Sequence, residues 1–181
     1  QMTSTNKATL VASDYVHLHN HTHYSVLDGL QKIPEMLDYV QELGMESIAL
    51  TDHGTLSGAI EFYKEAKNRG IKPIIGMETY IASRNHTNKD PAKDKGRFHL
   101  ILLAMNMQGY QNLMKLSTIA NLDGFYHKPR IDHDLIEQYH EGLIALSGCI
   151  GGEVGENLRY GDYAKAKEIA QWYKSIFGDR Y

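Results

Sequence analysis

The feature that most constrains the fold is an alternation of short apolar runs with amphipathic stretches, repeated about every thirty residues. Gly or Pro marks many of the changes, as at Pro34, Gly44 and Gly70. The apolar runs predict five strands: YVHLH (15–19), SIALT (47–51), KPIIGMETYIA (72–82), HLILLAM (99–105) and GLIALSGCI (142–150). Nearly continuous apolar strands separated by helices are typical of a parallel sheet buried on both faces. The sequence therefore predicts an α/β fold.

Four amphipathic helices are predicted around these strands. The first opens near Pro34, carries apolar residues at helical spacing and stops at Gly44. The others are predicted at 58–68, 108–122 and 163–177, the last of them capped by Asp162. Polar, breaker-rich stretches at 83–97 and 121–132 predict a flexible surface loop and a shorter connector.

The number of strands predicts an incomplete barrel. A closed α/β barrel needs about eight strands, and here five are predicted before a final helix, after which another strand would follow. We therefore expect the chain to stop within a domain.

Bulk composition excludes some classes of protein. The 181 residues, 42% of them hydrophobic, fit one globular domain. No apolar run approaches the ~18 residues of a membrane span and no signal peptide is present, so we expect a cytoplasmic protein with no membrane partner and a disordered leader at 1–14. A net charge of −3 gives no general attraction for nucleic acid, so any such binding must come from a local site or from neighbouring domains. The single cysteine, Cys149, excludes an internal disulfide.

The stretch YVHLHNHTHYS places histidines at every second position, at His17, His19, His21 and His23. Side chains alternate along a strand, so these imidazoles share one face while the apolar residues between them share the other. Two imidazoles at i and i+2 can bind one metal ion. The alternative is an exposed, solvated histidine-rich strand, but burial of the flanking Val and Leu favours a metal site.

Other ligand-type residues follow later strands. Asp52 and His53 follow SIALT, Glu78 lies in IIGMETY, and Asp28 follows the histidine stretch. Each has an ordinary alternative, since either aspartate can cap a helix and Glu78 can be an exposed strand residue. Their common position at the carboxyl ends of strands, where α/β folds place their working groups, favours a shared site.

His99 and Cys149 extend the candidate set. Cys149 lies at the expected end of its strand, whereas His99 begins its apolar run and so falls at the wrong end of a parallel strand. Together the candidates exceed what one tetrahedral ion can use, which predicts two or three divalent metals. Mixed ligands of this kind suit zinc, manganese or iron, and neighbouring ions suit hydrolysis of a phosphoester.

Longer stretches carry a resemblance to a known family. HLHNHTHYSVLDG, ALTDHGTLSGAIEFYKEAKNRGIKPIIGMETYIA, FHLILLAMNMQGYQNLMKLS, GFYHKPRID and LIALSGCIGGEV resemble the PHP (polymerase and histidinol phosphatase) domain at the amino end of the bacterial replicative DNA polymerase III alpha subunit. The short HxH and TDHG motifs point only to the wider superfamily, which includes histidinol phosphatases; the longer stretches are more specific to the polymerase branch. The resemblance covers nearly all of 15–181, the expected PHP domain.

The resemblance implies a distorted, TIM-like (β/α)7 barrel with a di- or trinuclear metal site. The implied metal ligands are His19, His21, Asp28, His53, Glu78, His99 and Cys149, with Glu78 as the bridging carboxylate. His17 is expected to orient a ligand through its ring N–H, and Asp52 is a candidate for a similar supporting role. The catalytic group is a water held by the ions. Members of the family close the site with a late Asp-x-His pair, which nothing after Cys149 supplies. The domain is therefore expected to be partial, an amino-terminal fragment without its late strands.

Two functions from different classes follow. The first is a metal-dependent phosphodiesterase with 3′ to 5′ proofreading chemistry on the 3′ end of a primer strand, with Tyr126, Lys128 and Arg130 as candidate contacts to DNA. The second is a catalytically silent scaffold, which stabilises the remainder of the polymerase alpha subunit and docks the proofreading exonuclease subunit. A free-standing histidinol-phosphate phosphatase is a third, less favoured interpretation.

Overall fold

The computed structural model describes residues 10–26 and 28–181. Most of the predicted leader, residues 1–9, lies outside this part, and residues 12–14 form a 3₁₀ turn. The strands are β1 (Ser47–Leu50), β2 (Lys72–Ala82), β3 (Arg97–Ala104), β4 (Arg130–Ile131) and β5 (Leu143–Leu146). The helices are α1 (Ile33–Glu42), α2 (Ala59–Asn68), α3 (Met107–Leu122), α4 (His133–Tyr139), α5 (Glu153–Arg159) and α6 (Tyr163–Phe177). None of these helices combines the length and the apolar character that a membrane span requires.

The sheet is mixed, which corrects the prediction of a parallel sheet. Its order is β1-β2-β3-β5, with β4 beside the end of β2. β1 and β4 run parallel to β2, whereas β3 is antiparallel to both β2 and β5. β3 is thus the strand that runs against the others, because no helix lies between β2 and β3 to carry the chain back across the sheet.

The predicted first strand, YVHLH, is reduced to an extended segment beside β1. His17 forms a single parallel bridge with Ile48, and its carbonyl accepts the N–H of Ala49 at 2.9 Å. Three residues on, the carbonyl of Asn20 accepts the N–H of Thr51 at 3.0 Å. These bonds fix the histidine segment against the sheet without a continuous ladder.

Alternation along the strands separates two faces of the sheet. One face carries the main core, where β2, β3 and β5 pack against α3, α4 and α6, while α1 and α2 cover β1 in the same way. The opposite face is lined by Ala49, Ile101 and Leu103, with Ile144 and Leu146 partly buried beside them. We call this second surface the inner face. It holds the candidate site at one end.

Helix prediction was accurate where amphipathic periodicity was long. The helix predicted at 163–177 is α6, and the carboxylate of Asp162 accepts the N–H of Lys165 at 2.9 Å, as an N-cap does. The short elements β4, α4 and α5 were not predicted. The loop predicted to be flexible at 83–97 is held by a buried carboxylate, since Asp94 is 1% exposed and binds Arg84 through two hydrogen bonds.

Candidate metal centre

Glu78 of β2 is the point on which the predicted ligands converge. Its side chain is 1% exposed and lies on the inner face. Four imidazole nitrogens approach its carboxylate, at 3.7 Å for His19, 3.2 Å for His21, 2.6 Å for His53 and 2.7 Å for His99. His19 and His99 lie nearest Oε1, and His21 and His53 nearest Oε2. Donor groups from distant parts of the chain therefore meet at one carboxylate.

The turn after β1 brings His53 to Glu78. The two residues form a parallel bridge, in which the N–H of Glu78 donates to the carbonyl of Asp52 at 3.1 Å and the N–H of Gly54 donates to the carbonyl of Glu78 at 2.8 Å. Gly54 has a φ of +62°, and a Cβ there would lie 2.6 Å from Cγ of Pro129. Backbone conformation and packing both require glycine in this turn.

The histidine pair reaches the site from the extended segment beside β1. The Nε2 atoms of His19 and His21 are 3.0 Å apart, and the ring of His21 stacks on that of His53 with centroids 4.0 Å apart. His17 instead contacts the edge of Tyr15, and among the described residues no hydrogen bond joins its ring to a predicted ligand. Its predicted orienting role has no supporting contact.

The reversed direction of β3 accounts for the position of His99. Because β3 is antiparallel to β2, its first residues lie beside the last residues of β2, and His99 pairs with Tyr80. The sequence placed His99 at the wrong end only because β3 was taken as parallel. Cys149 follows β5 on a loop held by the N–H of His99, which donates to the carbonyl of Gly151 at 3.0 Å. The sulfur lies 3.7 Å from Nδ1 of His99.

The two predicted aspartates occupy different positions. Asp28 is exposed, and its Oδ2 lies 2.8 Å from Nε2 of His53. Asp52 is fully buried and points away from the cluster, where it accepts the N–H and hydroxyl of Thr22 at 2.6 and 2.8 Å and the hydroxyl of Ser25 at 2.7 Å. The hydroxyl oxygen of Ser25 in turn accepts the N–H of His53 at 3.0 Å. Asp52 thus ties the histidine segment to the His53 turn.

The cluster fixes the charge on its central carboxylate. Burial raises the pKa of Glu78, but the close approach of His19, His53 and His99 outweighs it and holds the pKa far below that of an ordinary glutamate. Contact with Glu78 raises the pKa of His53. Burial, followed by the charge of His53, lowers the pKa of His21. Glu78 is therefore ionised and His21 is favoured in the neutral form, the states in which each residue binds a metal.

The donor set fits divalent metals. Two groups of donor atoms each lie within 4.8 Å of one another and share Glu78: one adds His19 and His21, and the other adds His99 and Cys149. Nδ1 of His53 and Oε2 of Glu78 lie only 2.6 Å apart. Nδ1 of His21 is buried and, among the described residues, has no hydrogen-bond partner. Buried polar atoms are rarely left in this state. A mixed nitrogen, oxygen and sulfur set of this kind suits zinc, manganese or iron.

Comparison with known proteins identifies the family of the chain. A family model described as the PHP domain matches residues 17–181. The chain belongs to the PHP domain family. It is 48% identical over 170 residues to the DNA polymerase III subunit alpha of Borreliella burgdorferi, with 93% of this chain and 15% of the relative covered. The corresponding subunit of Aquifex aeolicus is 46% identical over 175 residues, with 93% and 15% covered.

The chain spans about 15% of the length of these relatives. Among solved structures, a putative metal-dependent phosphoesterase from Bifidobacterium adolescentis aligns with 59% of this chain and 34% of its own, at 18% identity and a TM-score of 0.40. An amidohydrolase from Chromobacterium violaceum aligns with 56% of this chain and 32% of its own, at 22% identity and the same score. Neither likeness is strong enough to carry an argument about function.

The predicted DNA contacts of this PHP domain divide into two kinds. Arg130 is 1% exposed, and its guanidinium donates to four backbone carbonyls, those of His86, Asn88, Asp94 and Gly124. Three of these bonds anchor the 83–97 loop, and the predicted contact of Arg130 with DNA has no exposed group to support it. Tyr126 and Lys128 stay partly exposed, and Nζ of Lys128 lies 5.6 Å from the centroid of the Tyr80 ring.

The remaining aspartate-histidine pair, Asp132 and His133, lies outside the cluster. Asp132 caps α4 and accepts the N–H of His86 at 2.8 Å, while Nε2 of His133 lies 2.9 Å from Glu153. Asp132 therefore joins α4 to the 83–97 loop, and His133 joins α4 to α5.

Two residues beside the ligands were not predicted from the sequence. Tyr80 is 3% exposed, and burial, together with the charge of Glu78, raises its pKa to about 12, so it is protonated at neutral pH. Arg97 lies near the same ring, with its Cζ 5.6 Å from the centroid. The available signal was their spacing, since each lies two residues along a strand from a predicted ligand.

Proposed function

We propose that this chain is the PHP domain of a DNA polymerase III alpha subunit, and that its cluster holds two or three divalent metals that hydrolyse phosphodiesters in the 3′ to 5′ direction. The observation that carries the proposal is the convergence of four imidazoles on the buried carboxylate of Glu78, with Cys149 beside His99. One or two hydrogen-bond partners are enough to satisfy an ordinary buried glutamate, and Glu78 has more imidazoles around it than that.

Each ligand has a role that follows from its position. Glu78 is common to both donor groups and would bridge the ions; His19 and His21 would hold one side, and His99 and Cys149 the other. His53 lies between Glu78 and Asp28, with one ring nitrogen facing each carboxylate. Bound divalent metals would supply an activated water at neutral pH and neutralise charge on the phosphate.

The chain's own groups would prepare the site for an anionic substrate. Ionised Glu78 and neutral His21 need no large protonation change before metal binds. Asp52 accepts three hydrogen bonds from Thr22 and Ser25 and so fixes the segment that carries the histidines. Lys128 places a positive charge beside the cluster, and Tyr126 offers an aromatic ring on the same loop.

The substrate in this proposal is the 3′ end of a DNA primer strand, and the location is the bacterial cytoplasm, where replication takes place.

The test compares two buried glutamates in the intact polymerase subunit. Glu78→Gln removes the proposed bridge, whereas Glu153→Gln alters a buried glutamate outside the cluster, bound by Tyr173 and His133. We expect Glu78→Gln to abolish release of nucleotides from a 3′-labelled single strand while primer extension continues, and Glu153→Gln to retain both activities.

The opposite result supports the scaffold function. If wild-type protein carries metal yet releases no nucleotide, and Glu78→Gln lowers only the melting temperature, the metals stabilise the fold and the hydrolytic proposal is wrong. Docking of a separate proofreading exonuclease subunit then becomes the function to examine.

A further inference from the structure

Two cationic side chains lie beside one aromatic ring at the edge of the cluster. Cζ of Arg97 and Nζ of Lys128 are each 5.6 Å from the centroid of Tyr80. The same ring lies nearly parallel to His53, with centroids 5.9 Å apart, and meets the edge of His99 at 5.3 Å. Both positive charges are therefore one side chain away from proposed metal ligands.

Strand pairing places Arg97 on the inner face together with the ligands. His99 lies directly opposite Tyr80 in the antiparallel pair of β2 and β3. Arg97 is two residues before His99, and Glu78 is two residues before Tyr80, so all four side chains share one face. Lys128 comes from the loop whose Pro129 packs against the His53 turn. The two cations thus approach the ring from separate elements.

Within the described part of the chain, neither cation is paired with an acidic group. Within residues 10–26 and 28–181 no carboxylate lies within ion-pair distance of Arg97 or Lys128, and Nε of Arg97 is buried without a hydrogen-bond partner. Arg84, in the 83–97 loop that leads into Arg97, forms an ordinary ion pair, since its guanidinium binds both carboxylate oxygens of Asp94. A partly buried guanidinium without an acceptor is suited to an external oxyanion.

We propose that Arg97 and Lys128 bind a phosphate group of the nucleic-acid strand beside the metal cluster. This rests on the proposed function and adds the residues that hold its substrate. The planar guanidinium matches two phosphate oxygens, the ammonium supplies a point charge, and the ring of Tyr80 holds both stems at the edge of the cluster. A phosphodiester and a nucleoside monophosphate present the same oxyanion, so the monophosphate serves as a probe.

The experiment measures binding separately from hydrolysis. The intact subunit, loaded with Mn²⁺, is dialysed to equilibrium against radiolabelled thymidine 5′-monophosphate, and hydrolysis of its p-nitrophenyl ester gives kcat and KM. The variants are Arg97→Gln, Arg97→Lys and Lys128→Gln. The matched control is Lys115→Gln, which removes a cation 5.4 Å from the ring of Tyr139, away from the site. Metal content and melting temperature are recorded for each variant.

We expect Arg97→Gln and Lys128→Gln each to raise the Kd of the monophosphate and the KM of the ester about tenfold, with kcat and metal content little changed. Arg97→Lys should raise the Kd and the KM by a smaller factor, because a positive charge remains at this position. Lys115→Gln should have the Kd and the KM of wild type. A Kd within about twofold of wild type for both glutamine variants would overturn the phosphate site and leave the hydrolytic proposal standing. Binding that falls as expected in a protein that hydrolyses nothing would keep the phosphate site and refute hydrolysis.

Discussion

At the scale of single residues, the site depends on two buried carboxylates that face in different directions. Glu78 faces the cluster and Asp52 faces away from it, although their backbones are joined by a hydrogen bond of 3.1 Å. Both are buried; imidazoles surround Glu78, whereas the backbone and hydroxyl groups of Thr22 and Ser25 surround Asp52. One carboxylate is thus available to metal, and the other is committed to holding the segment that carries His19 and His21.

Asp52→Asn tests that division of roles. The amide replaces one of the two acceptor oxygens of Asp52 with an N–H donor, so at least one of the hydrogen bonds from Thr22 and Ser25 must be lost or reversed. We therefore expect a loss of about 1–3 kcal/mol in the free energy of unfolding. Because the histidine segment loosens, metal affinity should also fall about 10- to 100-fold. Chelator competition and urea denaturation measure the two effects.

The matched control is Asp38→Asn, which alters an exposed ion pair with Arg69. Such pairs contribute at most about 1 kcal/mol, and metal affinity should be unchanged. An Asp52→Asn variant that is destabilised yet binds metal as wild type does would limit Asp52 to a purely structural role.

At the scale of elements, the His53 turn and the loop carrying Lys128 are packed on one another at a glycine. Gly54 and Gly70 both have positive φ, at +62° and +72°, but only Gly54 has a neighbour where a Cβ would lie. Substitution at Gly70 therefore measures backbone strain alone, whereas substitution at Gly54 measures backbone strain and the clash with Pro129 together.

We expect Gly70→Ala to cost about 1–2 kcal/mol of stability from strain alone and Gly54→Ala to cost at least about 1 kcal/mol more. Gly54→Ala should also weaken metal binding, because displacement of Pro129 moves the His53 turn. Equal destabilisation of the two variants in urea would show that this contact between turn and loop contributes nothing.

The cap of α4 predicts a dependence of stability on pH. Burial raises the pKa of Asp132, but hydrogen bonds from His86 and Leu135 outweigh it, so its pKa is lowered in the folded protein. Its contribution is therefore present above the pKa of an unfolded aspartate, about 3.9, and is lost as the pH falls through the lower folded value. Asp132→Ala should cost about 1–2 kcal/mol at pH 7.

Urea denaturation between pH 3 and pH 6 checks this sign. Wild type should lose more stability than Asp132→Ala as the solution is acidified, so the two curves converge at low pH. Asp162→Ala, which removes the exposed cap of α6, provides a comparison for the loss of a cap alone. Curves that stay parallel for wild type and Asp132→Ala would contradict the prediction.

At the scale of the whole molecule, the long helices, β1 and β2 could be predicted because amphipathic period and turn residues are local. The direction of β3 could not be predicted from its apolar pattern, which reads the same in both directions. The sequence did carry one sign of this direction, since residues 83–96 show no helical period. Two consecutive strands that are joined without a crossover helix pair antiparallel. His19, His21, His53 and Glu78 could be named from their motifs, and spacing places Arg97 on the face of His99. Its position near Tyr80 follows from the reversed direction of β3.

The most direct test of the metal centre is the metal-to-protein ratio of the intact subunit, purified without chelator or affinity resin and measured by elemental analysis for wild type and Glu78→Gln. Because Glu78 is shared by both donor groups, we predict two to three transition-metal ions per wild-type subunit and at most one in Glu78→Gln. A wild-type ratio near zero, or equal ratios in the two proteins, would contradict a shared cluster at Glu78.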